Sequence, residues 1–269
     1  MRADGRGAPT EGRMDERACW WEMNRGDEHK SLFLCALTAK DMENPAIQGK
    51  KMAAAKAIEY IKNGMTIGLG TGSTAYWAIQ GIGELVKNGL SVRAVATSVQ
   101  SEELARELRI PIVPFVEVDH IDITIDGADE VDRQLNLIKG GGGALLREKI
   151  VAAVTRFYII IVDESKLVEY LGKFPLPVEI VPFAWEWTER KLRKLGANPV
   201  MRMKDGKPYL TDNHNYILDC SFGLIKDPAK LHEQVSAITG VMEDGFFINM
   251  ADLVVAGLAD GNCKTLARV

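Results

Sequence analysis

The 269-residue sequence is 46% apolar and 26% charged, with 25 Gly, 10 Pro and 4 Cys. That is the balance of an ordinary soluble globular chain, and it excludes global disorder, a collagen repeat and a membrane bundle. The 37 acids against 33 bases leave a net charge of −4, with no basic stripe for nucleic acid and no apolar run near the ~20 residues of a membrane helix.

Residues 1–49 carry nine acids against seven bases and no sustained periodicity. Their apolar patch, Leu32 to Leu37, is shorter than the ~7–15 residues of a secretory core, and a transit peptide would be poor in acids. Residues 1–41 therefore read as an unassigned leader, disordered or not native. From Lys50 the pattern is regular. Ala53, Ala54, Ala57, Ile58 and Ile61 recur at helical spacing, with Asn63-Gly64 as a C-cap. Met65–Leu69 predicts a buried strand, 75–87 a helix, 90–96 a strand and 101–108 a helix. Ile121–Ile125 alternates as a strand, Leu135–Ile138 is a short one, 144–155 a helix and Phe157–Val162 a strand. Strand and helix alternate throughout, which predicts an α/β fold with a Rossmann-like, mostly parallel sheet.

The character changes at Gly172. Strand 178–181, a helix from Pro182 to about Leu195, strands 199–203, 209–211 and 216–219, and helix 228–238 predict a small α+β unit of split-βαβ, ferredoxin-like form. Asp205-Gly206 predicts a hairpin turn. Strands 246–249 and 253–256 are expected to return to the first sheet. The expected division is 42–171 plus 246–269 for the main α/β domain and 172–245 for the inserted one. The thiols at 19, 35, 220 and 263 are scattered and the four histidines unpaired, so no metal site is expected and the setting is a reducing cytoplasm.

In a parallel sheet, ligands bind beyond the carboxyl ends of the strands, and four unusual loops sit there. Gly70-Thr71-Gly72-Ser73-Thr74 joins a strand to a helix, where small residues, hydroxyls and free amides suit a phosphate monoester. A dinucleotide would want an acid at the end of the next strand, but Ala96-Thr97-Ser98 stands there, and no Gly-Lys-Ser/Thr of a P-loop is present. Asp126-Gly127-Ala128-Asp129 sets two carboxylates three apart, fit for acid–base work, for polyol hydroxyls or for a plain Asx-turn. Lys139 precedes four consecutive glycines, a run whose entropy cost implies positive φ or close approach to a ligand. Glu148 follows near the start of the next helix, and Lys166 lies in Asp163-Glu164-Ser165-Lys166.

In this order and spacing the chain strongly resembles type A ribose-5-phosphate isomerase from about Lys50 onward. The resemblance rests on Thr71–Thr74, Asp126–Asp129, Lys139–Gly142, Arg147-Glu148-Lys149, Asp163–Lys166 and Gly172-Lys173-Phe174-Pro175-Leu176-Pro177-Val178-Glu179. Gly143 stands where many members of the family have Ala. The resemblance implies interconversion of ribose 5-phosphate and ribulose 5-phosphate in the pentose phosphate pathway, without metal or cofactor. By position, Glu148 is implied as the base that moves the C2 proton to C1 through a cis-enediolate. Lys139 and the amides of Gly140, Gly141 and Gly142 are implied to stabilise it. Asp126 and Asp129, with Gly127 and Ala128 between them, are implied to hold the sugar hydroxyls as part of the catalytic set, and Asp126 is also implied to help open the furanose ring and shuttle protons between O1 and O2. Thr71, Gly72, Ser73 and Thr74, with Lys50 and Lys166, are implied on the phosphate side. A homodimer or homotetramer is implied, with no membrane or nucleic-acid partner. The competing classes are a sugar-phosphate sensor domain, an amino-sugar phosphate deaminase, a coenzyme A transferase and, weakest, a dehydrogenase.

Overall fold

The computed structural model describes residues 45–268. The leader at 1–41, with Cys19, Cys35 and His29, lies outside the described residues. Helix α1 (Pro45–Ile58) starts five residues before the first periodic residue and stops short of Asn63-Gly64. Its last turns tighten through Tyr60 N to Ala57 O and Ile61 N to Ile58 O, and Gly64 instead reaches Ser91 O in the turn beyond. Ala53, Ala54 and Ala57 are fully buried. Their small side chains let α1 lie close against α2 (Ser73–Lys87) and the sheet below.

That sheet has six strands: β1 (Thr66–Leu69), β2 (Arg93–Ala96), β3 (Ile121–Gly127), β6 (Thr155–Asp163), β14 (Leu253–Gly257) and β15 (Cys263–Ala267). The order is β15-β14-β6-β3-β1-β2, parallel except for β14 against β15. Every residue of β1 and β14 is buried, which is why these strands read as continuous apolar runs without alternation. From β1 the chain passes through α2 to β2 on one side. It then passes through α3 (Val99–Glu107) to β3 on the other. The order reverses between β1 and β3, and a crevice opens at such a switch point.

The inserted unit runs β7 (Leu176–Ile180), α5 (Trp185–Lys194), β8 (Asn198–Met201), β11 (Tyr216–Ser221), α6 (Pro228–Ser236) and β12 (Val241–Asp244). Its antiparallel order β12-β7-β11-β8 is the split-βαβ arrangement. Asp205 (φ 52°) and Gly206 (φ 74°) make a two-residue turn between β9 (Met203–Lys204) and β10 (Lys207–Pro208). The second arm thus precedes the predicted strand 209–211.

The structure corrects one expectation outright. Phe246-Phe247, as β13, does not return to the first sheet. It pairs with β5 (Leu137–Ile138), which also pairs with β4 (Glu130–Val131), in a separate three-stranded sheet. Gly245 is the cause. Its N–H bonds Pro177 O and its carbonyl accepts Lys139 N, both at 2.8 Å, so the chain is seized by β7 and β5 before it can reach β6. Only β14 goes back. Among the described residues no helix is long and apolar enough to cross a membrane.

Candidate active site

Every implied site residue except Asp126 lines one cleft of about 110 Å³ at the β1/β3 switch point. A hollow of about 550 Å³ lined by Arg106, Pro114, Phe115 and Arg147 is larger but holds none of these loops. On one wall, Gly72 (φ 105°) starts α2 without a side-chain cap, so its first-turn amides keep their capacity for an anion. Lys50 Nζ donates to Ser73 Oγ at 3.0 Å beside them. Lys166, in a short turn after β6, lies on the same cleft. Thr71 differs from its neighbours. Its hydroxyl turns inward to Thr97 Oγ1 (2.7 Å) and Ser98 Oγ (2.8 Å), and Ser101 Oγ closes the network on Gly70 O (2.7 Å).

The glycines are explained by what stands beside them. A Cβ on Gly141 would lie 2.5 Å from Asp129 Oδ1, whose partner Oδ2 accepts the Gly141 N–H at 2.7 Å. A Cβ on Gly70 would collide with Asp126 Oδ1. Gly70→Ala is therefore expected to destabilise the fold by ~1–3 kcal/mol, read as a lowered urea midpoint. An unchanged midpoint would show that Asp126 can move aside.

Beneath the glycine loop, the structure brings together three buried ionisable groups. Lys139 leaves β5 with 2% exposure, and its Nζ lies 3.0 Å from Asp126 Oδ2 and 3.1 Å from Glu148 Oε1. It also donates to Gly127 O. Burial by itself would lower the lysine's pKa, but Asp126 and Glu148 together outweigh that and raise it, so it stays an ammonium. Asp126 is 0% exposed and stands under the cleft. Its Oδ1 accepts Thr71 N (3.0 Å) and Gly127 N (2.8 Å), and its Oδ2 accepts the Tyr158 hydroxyl (3.0 Å) as well as Lys139. With four internal donors it is fixed in the floor of the cleft.

Glu148 sits in the first turn of α4 (Leu145–Ala153) and is 4% exposed, not the solvated charge that a helical Glu usually is. Burial pushes its carboxyl up to about 8. Lys139 opposes that shift and Asp126 adds to it. One oxygen is anchored on Lys139, while Oε2 is buried with no hydrogen-bond partner among the described residues. A buried carboxylate with one free oxygen and a proton affinity near neutrality is equipped to take up a proton.

Several supporting residues lie outside the motifs. Arg202, from the inserted unit, donates through Nη1 to Gly140 O (2.8 Å) and Gly141 O (3.2 Å) while its other nitrogens grip Asp219. With those carbonyls drawn outward, the orientation of the loop is fixed. No spacing in the sequence links Arg202 to Gly140. Tyr158 had a visible signal, since it is the one polar-tipped residue in the run Tyr158–Val162. Thr97 and Ser98 were visible as hydroxyls just after β2 and Ser101 as one in the first turn of α3, but their partner Thr71 is not predictable from position.

The sequence model of the family described as ribose 5-phosphate isomerase A (phosphoriboisomerase A) matches residues 93–261. A ribose-5-phosphate isomerase A of Bacillus mycoides (strain KBAB4) is 52% identical over 213 residues, spanning 79% of this chain and 96% of that protein. Among solved structures, a D-ribose-5-phosphate isomerase in complex with phospho-erythronic acid matches with a TM-score of 0.80 at 41% identity, covering 86% of this chain and 100% of that one. The ribose 5-phosphate isomerase A of Methanocaldococcus jannaschii matches with a TM-score of 0.77 at 40% identity and the same coverage.

Proposed function

The chain belongs to the ribose 5-phosphate isomerase A family, isomerases of ribose 5-phosphate and ribulose 5-phosphate, and from that premise we propose that Glu148 is the base that moves the proton. In the open-chain aldose, the Glu148 carboxylate takes the C2 proton. The C2–H electrons form the C1=C2 bond, and the former carbonyl pair goes to O1, giving a cis-enediolate. Transfer of the hydroxyl proton between O2 and O1 and return of the carbon-bound proton to C1 leave the ketose, with no net change in atoms or electrons.

A carbon acid is too weak for one carboxylate unless the developing oxyanion is stabilised. Lys139 and the amides of Gly140 and Gly142 supply that stabilisation, while the Gly141 amide holds Asp129. Asp126 acts through Lys139, as its counter-charge. Asp129, on the cleft wall, takes sugar hydroxyls, and the start of α2 with Lys50 and Lys166 takes the phosphate. Phospho-erythronic acid, held by the solved relative, supports this division, since it joins a phosphate to a carboxylate that spreads negative charge over two oxygens as an enediolate does.

The observation that carries the proposal is the unpartnered, buried Oε2 of Glu148 beside an oxygen locked on Lys139. The test is turnover of ribose 5-phosphate in D₂O with excess EDTA. The expected result is an undiminished rate and, after many turnovers, deuterium at C1 of the ketose and C2 of the aldose. Loss of the rate with EDTA, or conversion without deuterium at either carbon, would overturn it.

A further inference from the structure

Tyr158 begins an apolar run, and its ring behaves like the rest of that run. It is 1% exposed and packs on Phe247 at 6.5 Å between centroids, among Val131, Leu137 and Ile160. The hydroxyl is a separate matter, because a phenol O–H buried in hydrocarbon must find an acceptor. The β3–β6 register sets Tyr158 opposite Thr124. Asp126 is two residues further along β3, on the same face, within reach of a long side chain on the diagonal. The hydroxyl donates to Asp126 Oδ2 at 3.0 Å, the oxygen that Lys139 Nζ also meets at 3.0 Å.

We infer that Tyr158 is a positioning residue for the isomerisation, which shares Asp126 Oδ2 with Lys139 and so leaves the ammonium divided between Asp126 and Glu148. This inference rests on Glu148 being the base. The groups around the hydroxyl and the base are Asp126 from β3, Lys139 from the loop after β5, Glu148 from α4 and, acting on Glu148 from farther off, Asp129. Lys149 stands on the other side of the packing, 5.0 Å from the Phe247 ring centroid. Burial, and then Asp126 and Glu148, hold the phenol well above its ordinary value, so Tyr158 donates over the whole working range.

Without the hydroxyl, Asp126 Oδ2 has Lys139 as its one remaining donor among the described residues. The ammonium is then drawn toward Asp126 and away from Glu148 Oε1, 3.1 Å on its other side. Lys139 is the neighbour that eases proton release from Glu148, so its withdrawal leaves the base protonated to higher pH. Phenylalanine has the same ring, keeps the contact with Phe247 and removes only the hydrogen bond.

The experiment compares Tyr158→Phe and Glu148→Gln with wild type by steady-state kinetics from about pH 5.5 to about pH 9.5 and by urea unfolding. The expected Tyr158→Phe enzyme has kcat lowered about tenfold and KM within about twofold. Its acidic limb of kcat/KM is displaced upward by about half a pH unit or more, and its unfolding midpoint is near that of wild type. A wild-type pH profile, or a lower kcat with an unmoved limb and a lowered midpoint, would mean that the hydroxyl is only satisfied structure. An inactive Glu148→Gln beside a wild-type Tyr158→Phe profile removes this inference alone. A full-rate Glu148→Gln removes the base and this inference with it.

Discussion

Replacing Glu148 with glutamine is expected to lower kcat by about three orders of magnitude while KM changes by no more than about threefold. Glutamine has the same length and branching, so the 4%-exposed site stays filled, and its carbonyl can still accept from Lys139 at the position of Oε1. What it cannot do is take a proton from carbon. General-base catalysis is worth ~10²–10⁴ in rate, and the stabilising groups are otherwise untouched, so the loss falls on the chemical step and not on binding. Steady-state kinetics with ribose 5-phosphate read this directly, and a variant working at near-normal rate would assign the base elsewhere.

Two pH effects accompany that loss. Burial holds the Glu148 proton up to about 8, so the base form grows as pH rises through that value and kcat/KM of the wild type should rise with it. The sign for stability is the reverse. A carboxyl with a raised folded pKa contributes stability that is fully present below its unfolded value of about 4.5 and is lost as pH climbs through the folded one. The Glu148→Gln protein has no such titration, so its urea midpoint should gain on that of wild type between about pH 5 and about pH 8.

Much of this arrangement is legible in the primary structure because topology constrains it. Loops after parallel strands must share a rim, and the reversal between β1 and β3 brings Gly70–Thr74 beside Asp126–Asp129. The glycine run was legible as a demand for space, and Asp129 and Tyr209 are what claim it at Gly141 and Gly143. Depth was not legible. Asp126 and Asp129 look equivalent in Asp-Gly-Ala-Asp, yet one sits under the floor with four donors and the other on the wall. The difference is that Asp126 is still in β3, where its side chain points to a buried face, whereas Asp129 has left it. Strands β5 and β13 fall inside the segments expected at 135–138 and 246–249, but β4 is too short for any periodicity and no pattern shows that the three pair with one another in the sheet that delivers Lys139. Arg202 reaches Gly140 from 62 residues away by long-range folding alone.

Lys139→Met is expected to be the most damaging substitution for activity and stability together. Methionine matches the stem of the lysine in length, so the site stays filled and the loss is the ammonium, together with its place over the Phe247 ring. Two buried carboxyls, Asp126 and Glu148, then face each other with no cation between them. Removing one partner of a buried ion pair costs ~3–5 kcal/mol when the remaining charge cannot be relieved. Glu148 can relieve it by keeping its proton, since burial already favours the neutral form and Lys139 is the group that opposes this. The stability deficit against wild type should therefore be present near pH 5, where Asp126 has lost its counter-charge, and grow toward pH 9, as the raised folded pKa of Glu148 dictates. That same proton disables the base, and the enediolate loses its ammonium, so kcat should fall by about 10³ or more. Urea midpoints at the two pH values and kcat for both proteins make the check. Activity within about tenfold of wild type, or a deficit equal at both pH values, would mean that Lys139 neither stabilises the intermediate nor sets the proton affinity of Glu148.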